Sequence, residues 1–293
     1  HPHGGADPNN LDIWRKAGVD YLSVNVGYDV VDWQATIRTI ARFRAFLQTH
    51  PKKFALIRSV ADIKRARRAG KLAIAFDLEG MNSLNGDVNM VNVYYELGVR
   101  QMLFAYNLNN LAGGGCHDGN EGLTAFGRAV IKEMNRVGMM VDCSHTAYRT
   151  TMEAMEASAA PVIFSHSCAK AIHGHGRNIV DEQIKACART GGVVGVNGVS
   201  MFLGENDITS KTFVDHVAHM AGLVGAEHVG IALDYAFDAD KVDDLVEGNS
   251  AYWPESAGYG RHPTSYVPPK QLREITETMV RRNWAALLTL PAL

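Results

Sequence analysis

The chain has 293 residues, a formal net charge of −2 and 46% hydrophobic residues. This length accommodates one large barrel or two smaller domains. A net charge this close to zero does not indicate a binding surface for nucleic acid or for an anionic membrane. No apolar run approaches the roughly 18 residues that span a bilayer. We therefore expect neither a nucleic-acid partner nor a membrane span.

The four cysteines, Cys116, Cys143, Cys168 and Cys187, are widely spaced and form no Cys-x-x-Cys pair. This spacing predicts reduced thiols rather than a disulfide framework. The sequence begins at His1, so a preceding segment that was removed or lost is left open. The compartment is left open as well, between the cytoplasm and a periplasmic or secreted location.

Apolar runs of strand length alternate with helical patterns along the whole chain. The predicted strands are 21–28, 72–79, 101–106, 139–144, 161–165, 192–197 and 228–233. The main predicted helices between and after them are 32–49, 61–70, 88–98, 123–137, 150–157, 181–189, 213–224 and 270–282. This alternation favours a parallel α/β sheet, and seven strands are one short of a (β/α)8 barrel. With no domain-scale linker, we expect a single domain over residues 1–293.

Two successive apolar runs are each followed by the same dipeptide, Ser144-His145 and Ser165-His166. In a parallel barrel, the carboxyl ends of the strands carry the active site. A lone histidine at a strand end is more often a packing or loop residue, but two in matching contexts favour a shared metal ion.

Carboxylates stand at the ends of two further predicted strands, Glu79 and Asp234. Oxygen and imidazole ligands together suit Zn²⁺ or a similar divalent ion. Glu79 taken alone is also compatible with an ordinary loop carboxylate. His173 and His175 have metal-like spacing, but their Gly-rich context favours a solvated loop.

Several longer segments match one family. They are DLEG at 77–80, GLTAFGRAVIKEMNRVGMMVDCSH at 122–145, PVIFSHS at 161–167, GRN at 176–178 and HVGIALD at 228–234. On these motifs the chain, from about Asn10 to about Arg282, resembles the membrane-dipeptidase (renal dipeptidase) family, zinc dipeptidases of the amidohydrolase superfamily. The resemblance implies a (β/α)8 TIM-like barrel of the metal-dependent hydrolase type.

The resemblance also implies roles for individual residues. Glu79 resembles the carboxylate that bridges two metal ions, and His145 and His166 resemble ligands of the second metal. Asp234 resembles the aspartate beside the first metal, which handles protons from the attacking water. Arg177 resembles the residue that holds the C-terminal carboxylate of the substrate, a task suited to its planar fork.

Tyr106 stands where other family members carry a histidine that steadies the scissile carbonyl oxygen. Its hydroxyl either donates a similar hydrogen bond or lines the pocket, and both alternatives stay open. Asn107, its neighbour, is expected to contact the substrate as well.

The function implied is a metal-dependent dipeptidase that uses a metal-activated hydroxide and two divalent ions, expected to be Zn²⁺. A dipeptide with a C-terminal D-residue is one expected substrate. Two alternatives stay open: the same barrel acting on an N-acyl amino acid, a lactone or a β-lactam, and a degenerate one-metal or non-catalytic member. A homodimer is also left open.

The two ends of the chain depart from the family pattern. Family members begin with a strand that ends in Asp-x-His-x-Asp, which His1-Pro2-His3 matches poorly. Either this first strand lies upstream of residue 1, or the first metal site is degenerate. After Arg282, the segment NWAALLTLPAL replaces the expected further helix.

Overall fold

The computed structural model describes residues 7–236 and 239–282. The chain divides into two compact units, His1–Ala160 and Pro161–Leu293. The predictions that concern His1-Pro2-His3 and the segment after Arg282 lie outside the described residues. The single domain expected over residues 1–293 stays a prediction.

The first unit alternates strands and helices. Its strands are β1 (Tyr21–Tyr28), β2 (Phe54–Leu56), β3 (Leu72–Glu79), β4 (Val99–Leu103) and β5 (Met140–Asp142). Its helices are α1 (Leu11–Lys16), α2 (Trp33–Thr49), α3 (Val60–Arg68), α4 (Met90–Leu97), α5 (Ala125–Val137) and α6 (Tyr148–Ala157). Strand β3 pairs in parallel with β1, β2 and β4, and β4 pairs in parallel with β5.

The strands of the first unit end level with one another. Glu79 at the end of β3 is in register with Tyr28 of β1 and with Leu103 of β4, and Leu103 is in register with Asp142 of β5. The residues that follow these strands therefore emerge at one edge of the sheet, as expected for the carboxyl ends of parallel strands.

Strand β3 owes its central place to its sequence. LAIAFDLE is nearly continuous in apolar residues, and all eight of its residues are buried, as is typical of a parallel strand covered on both faces. The neighbouring helices are bounded by local signals. Asp32 accepts a hydrogen bond from the Ala35 N–H at the start of α2, and Gly138 with φ +85° ends α5.

The second unit repeats the alternation with shorter strands. They are β6 (Val162–Ile163), β7 (Val194–Val196) and β8 (Val229–Ile231). The helices are α7 (Asp181–Arg189), α8 (Ser200–Leu203), α9 (Ser210–Val224), α10 (Ala239–Gly248) and α11 (Leu272–Arg281). Strands β7 and β8 pair in parallel, and an isolated parallel bridge joins Phe164 to Val194.

The predicted parallel α/β arrangement is confirmed in both units, with differences in the strands. Strand β2 was not predicted, because Phe54–Leu56 is only three residues long and has no readable alternation. Strands β4 to β8 are shorter than predicted. All four cysteines are free, as expected. Among the described residues, no helix combines the length and the hydropathy that a membrane span requires.

Candidate metal centre

The candidate residues follow their strands with one spacing. Tyr106, His145, His166 and Asp234 each lie three positions beyond the last residue of β4, β5, β6 and β8 (103 to 106, 142 to 145, 163 to 166, 231 to 234). Glu79 differs, because it is itself the last residue of β3. The strands thus end earlier than predicted, and these residues occupy the first turns beyond them.

Three of the candidate residues have left-handed backbones. The φ angles of Asn107, His145 and Asp234 are +63°, +61° and +49°. For a residue with a Cβ, this conformation costs roughly 1 kcal/mol or more and persists only where surrounding contacts hold it. Strained backbone at these strand ends is typical of a functional site.

Glu79 and His145 are both almost inaccessible to water, with 6% and 5% of their surface exposed. The Nδ1 atom of His145 lies 2.7 Å from Oδ1 of Asn107, which is fully buried. An amide oxygen can only accept, so Nδ1 carries the proton and donates it to Asn107. The lone pair of the neutral ring is then on Nε2, the nitrogen that would ligate a metal ion.

Tyr106 packs against the same histidine. Its ring is stacked on His145 with a centroid distance of 4.1 Å and an angle of 23°, and Tyr28 meets Tyr106 edge-on at 5.4 Å. These contacts fix the plane of the imidazole from one side, and Asn107 fixes its rotation. The structure therefore gives Tyr106 a packing role whatever its hydroxyl does.

His166 in the second unit is held differently. Its Nδ1 lies 2.7 Å from Oγ of the preceding Ser165, and it is 7% exposed. A Nδ1 proton shared with this hydroxyl would again leave the ring lone pair on Nε2. In the second Ser-His pair, the ring of the histidine is thus held by the serine that precedes it.

The ligand atoms of Glu79, His145 and His166 all lie within 4.8 Å of one another. Donors bound to one Zn²⁺ at about 2.0–2.2 Å lie roughly 3 to 4 Å apart. With their ligand atoms gathered in this way, the three residues could hold a metal ion. A buried carboxylate with two imidazoles is also the donor chemistry that such ions prefer. Asp234 is not in this group; its Oδ2 accepts a hydrogen bond from Asn197 Nδ2 at 3.0 Å.

Arg177 is buried, with 3% of its surface exposed. One Nη atom donates to the His166 carbonyl oxygen at 3.2 Å, and the guanidinium carbon lies 5.2 Å from the centre of the Phe202 ring. Its Nε is buried with no hydrogen-bond partner among the described residues. A buried cation with an unsatisfied donor is costly, and an incoming carboxylate would satisfy it.

Asp29, which directly follows β1, was missed in the sequence. Its buried carboxylate accepts hydrogen bonds from the backbone N–H groups of Asn82 and Tyr106 and from Asn110 Nδ2, and its own N–H donates to the Glu79 carbonyl oxygen. Burial raises the pKa of Asp29 to about 6, opposed by these hydrogen bonds. The strand-end criterion that selected Glu79 would have found it.

The solvated loop expected around His173 and His175 is wrong for His175. Its Nε2 lies 2.7 Å from the Ala257 carbonyl oxygen, and its Nδ1 accepts the Arg177 N–H at 3.1 Å. Both nitrogens of this half-buried ring are therefore engaged within the protein, which gives His175 a structural role.

Comparison with known families gives one broad match. A family model described as membrane dipeptidase, peptidase family M19, matches residues 7–250. An uncharacterized dipeptidase of Schizosaccharomyces pombe is 31% identical over 248 residues, which are 83% of this chain and 57% of that protein. Dipeptidase verJ of Clonostachys rogersoniana is 31% identical over 237 residues, 79% of this chain and 60% of that protein. The chain thus spans little more than half the length of these relatives.

Solved structures match over most of the chain. An amidohydrolase from Pseudomonas aeruginosa has a TM-score of 0.85 and 28% identity, covering 98% of this chain and 87% of that one. A metallopeptidase from Rhodobacter sphaeroides, liganded with a phosphinate mimic of the dipeptide L-Ala-D-Ala, has a TM-score of 0.75 and 18% identity, covering 93% and 83%. The predicted TIM-barrel-like α/β fold class is confirmed by these matches.

Proposed function

Because the chain belongs to the membrane dipeptidase family, peptidase family M19, we propose that it hydrolyses the peptide bond of dipeptides. The proposed cofactor is a pair of bound divalent ions, both Zn²⁺. The observation that carries this proposal is the buried group of Glu79, His145 and His166, whose ligand atoms lie within 4.8 Å of one another. The dipeptidase names of the relatives support the substrate class.

The residues that would hold the metal in this proposal are Glu79, His145, His166 and Asp234. When bound, the ions supply Lewis-acid activation of water and of the amide carbonyl. The residues around the metal ligands hold those ligands in position before the reaction starts. Asn107 holds Nδ1 of His145 at 2.7 Å and so presents Nε2 to the metal side.

Asp234 is the proposed proton carrier. It would take the proton of the attacking water and pass it to the leaving amine. Support comes from its environment, because Asn197 Nδ2 donates to Oδ2 at 3.0 Å and so orients the carboxylate. Tyr106 is proposed to line the scissile bond, with its hydroxyl as a candidate donor to the developing oxyanion.

Arg177 is the proposed binding residue for the free carboxylate of a dipeptide. Its burial and the lack of a hydrogen bond at Nε among the described residues support this role. A carboxylate held close to the reacting bond would make the enzyme favour dipeptides over longer peptides. The L-Ala-D-Ala mimic bound to the Rhodobacter sphaeroides metallopeptidase makes a C-terminal D-residue a natural candidate substrate.

The proposal is tested with the Zn²⁺-loaded chain and three substrates: L-Ala-L-Ala, L-Ala-D-Ala and N-acetyl-L-alanine. We expect hydrolysis of a dipeptide and a loss of more than about 100-fold in Glu79→Gln, since even residues behind metal ligands typically cost 10- to 100-fold. Glu133→Gln, which removes only a surface pair with Arg136, is the matched control. Cleavage of the acylated amino acid without cleavage of either dipeptide would contradict the proposal.

The role of Arg177 has its own test. Arg177→Ala should lower kcat/KM for a dipeptide by about 10 to 100-fold, mainly through KM, because a charge-assisted hydrogen bond contributes about 1.5–3 kcal/mol. Arg177→Lys should recover part of this loss, since it keeps the charge and lacks the fork. A C-terminally amidated dipeptide should be insensitive to both substitutions. An unchanged kcat/KM in Arg177→Ala rejects the role.

A further inference from the structure

His175 links Arg177 to the segment between α10 and α11 (residues 249–271, the connecting segment). The backbone nitrogen of Arg177 lies 3.1 Å from Nδ1 of His175, and Nε2 lies 2.7 Å from the carbonyl oxygen of Ala257 in the connecting segment. A backbone N–H only donates and a carbonyl oxygen only accepts, so Nδ1 carries the lone pair and Nε2 the proton. Both contacts therefore require the same neutral form of the ring.

The guanidinium group of Arg177 lies over an aromatic ring that His175 also contacts. The guanidinium carbon is 5.2 Å from the centre of the Phe202 ring, and the ring centres of His175 and Phe202 are 4.9 Å apart. Tyr259 of the connecting segment meets both rings edge-on, His175 at 5.9 Å and Phe202 at 6.3 Å. His175 thus contacts the backbone of Arg177 and the ring on which its side chain rests.

The connecting segment presents the Ala257 carbonyl group at a tight turn. Glu255–Ala257 form a single 3₁₀ turn, which ends at Gly258. The φ angle of Gly258 is +98°, in the left-handed region that favours glycine. An antiparallel bridge between Val199 and Tyr266 anchors the segment further along the chain. The oxygen that accepts from His175 is therefore held by the backbone of the connecting segment.

The side chain of Arg177 needs support of this kind. One Nη atom donates to the His166 carbonyl oxygen at 3.2 Å, and Nε has no hydrogen-bond partner among the described residues. A guanidinium fork binds a carboxylate through two parallel hydrogen bonds, so its plane must be fixed. The contacts of His175 with the Arg177 backbone and with Phe202 supply this constraint.

We propose that His175 is a positioning residue that sets the guanidinium group of Arg177 for a substrate carboxylate and ties that setting to the connecting segment. The inference rests on the proposed role of Arg177 in binding this carboxylate. His175 itself does not touch the substrate. The connecting segment thereby takes part in the preference for a free carboxylate.

The first test compares His175→Phe with His216→Phe in the full, Zn²⁺-loaded chain. His175→Phe keeps a ring beside Phe202 and removes both hydrogen bonds. It should lower kcat/KM for a dipeptide about 3- to 10-fold, through KM, and leave a C-terminally amidated dipeptide unaffected. His216 is the matched control, because its Nδ1 accepts the Ala169 N–H and its Nε2 lies 2.9 Å from the Leu203 carbonyl oxygen.

A second measurement needs neither metal nor activity. The Nε–H group of Arg177 gives a side-chain ¹H–¹⁵N NMR signal, identified in metal-free protein as the one missing in Arg177→Lys. His175→Phe should shift this signal and speed its exchange with solvent by about 5-fold or more, because the group is then less well held. His216→Phe should leave the signal in place.

A change within the connecting segment should reach Arg177 as well. Gly258→Ala strains the peptide that carries the Ala257 carbonyl group, so it should raise KM for a dipeptide and shift the Arg177 signal. Gly260→Ala is the matched control, since its φ angle is +74° and an added Cβ meets nothing within 4 Å. Equal behaviour of the two glycine variants would refute the tie to the connecting segment.

An unchanged KM together with an unchanged Arg177 signal in His175→Phe overturns the proposal. Equal effects in His216→Phe also overturn it, since a general loss of stability would then be the cause. A wild-type chain that hydrolyses no dipeptide would refute the proposed function, whereas the NMR comparison would still decide the role of His175.

Discussion

His175 is held neutral by the protein around it. Burial lowers the pKa of His175 to about 4, and the hydrogen bond to the Ala257 carbonyl oxygen opposes this shift only in part. An unfolded chain takes up the proton below about pH 6.5, whereas the folded chain resists it until about pH 4. The free energy of unfolding therefore falls as the pH drops from about 6.5 towards 4.

The expected size of this effect can be measured. Between pH 7 and pH 5, His175 should remove about 1 to 2 kcal/mol from the free energy of unfolding. Urea unfolding of His175→Gln at both pH values should show a smaller difference than the wild type by that amount. The exposed His262 provides the control substitution, His262→Gln. Equal pH dependence in wild type and His175→Gln would refute this account.

At the scale of single residues, the sequence indicated the candidate site residues but not the side chains that contact them. Glu79, His145 and His166 were selected because each stands at a strand end, and the structure brings their ligand atoms together. The partner of His145 is Asn107, 38 positions earlier, so no local pattern indicates it.

At the scale of elements, the start of α5 packs tightly on the Gly-rich loop that precedes it (residues 104–124, between β4 and α5). A Cβ at Gly127 would lie 2.2 Å from the Ala112 carbonyl oxygen. In an exposed helix, Gly→Ala stabilises by about 0.5–1 kcal/mol. At this position the clash should reverse the sign, and Gly127→Ala should lower the free energy of unfolding by about 1–3 kcal/mol.

Gly222 in α9 offers a matched control, because a Cβ there meets nothing within 4 Å. Gly222→Ala should raise the free energy of unfolding by about 0.5–1 kcal/mol, and denaturant unfolding of both variants gives the comparison. If Gly127→Ala proved as stable as Gly222→Ala, the close contact between α5 and the loop would not exist in solution.

The sequence predicted long elements better than short ones. Strands β1 and β3 have the predicted bounds, because each has eight residues and a clear pattern: β1 alternates apolar residues with polar or small ones, and β3 is nearly continuous in apolar residues. The later strands have only two to five residues, and apolar residues beyond their ends, such as Phe104 and Cys143, are buried as well. An apolar run predicts that its residues are buried. It does not predict where the strand ends, because that is defined by the backbone hydrogen bonds to the neighbouring strand.

At the scale of the whole molecule, metal binding should be coupled to stability. A ligand that binds only the folded chain stabilises it by about 2.7 kcal/mol at 100 times its dissociation constant. Zn²⁺ should therefore raise the melting temperature of the wild type and of Glu133→Gln, and a chelator should reverse the shift. Glu79→Gln should lose most of this effect. An equal shift in Glu79→Gln would mean that the ion binds elsewhere.

Strand β3 has a consequence for how the protein opens. It is buried along its whole length and is paired with β1, β2 and β4. Backbone amides in such a segment exchange with solvent deuterium only when the surrounding structure opens as a unit. Glu79 lies at the end of this fully buried and paired strand, so we expect local fraying of the nearby loops to leave its carboxylate in place.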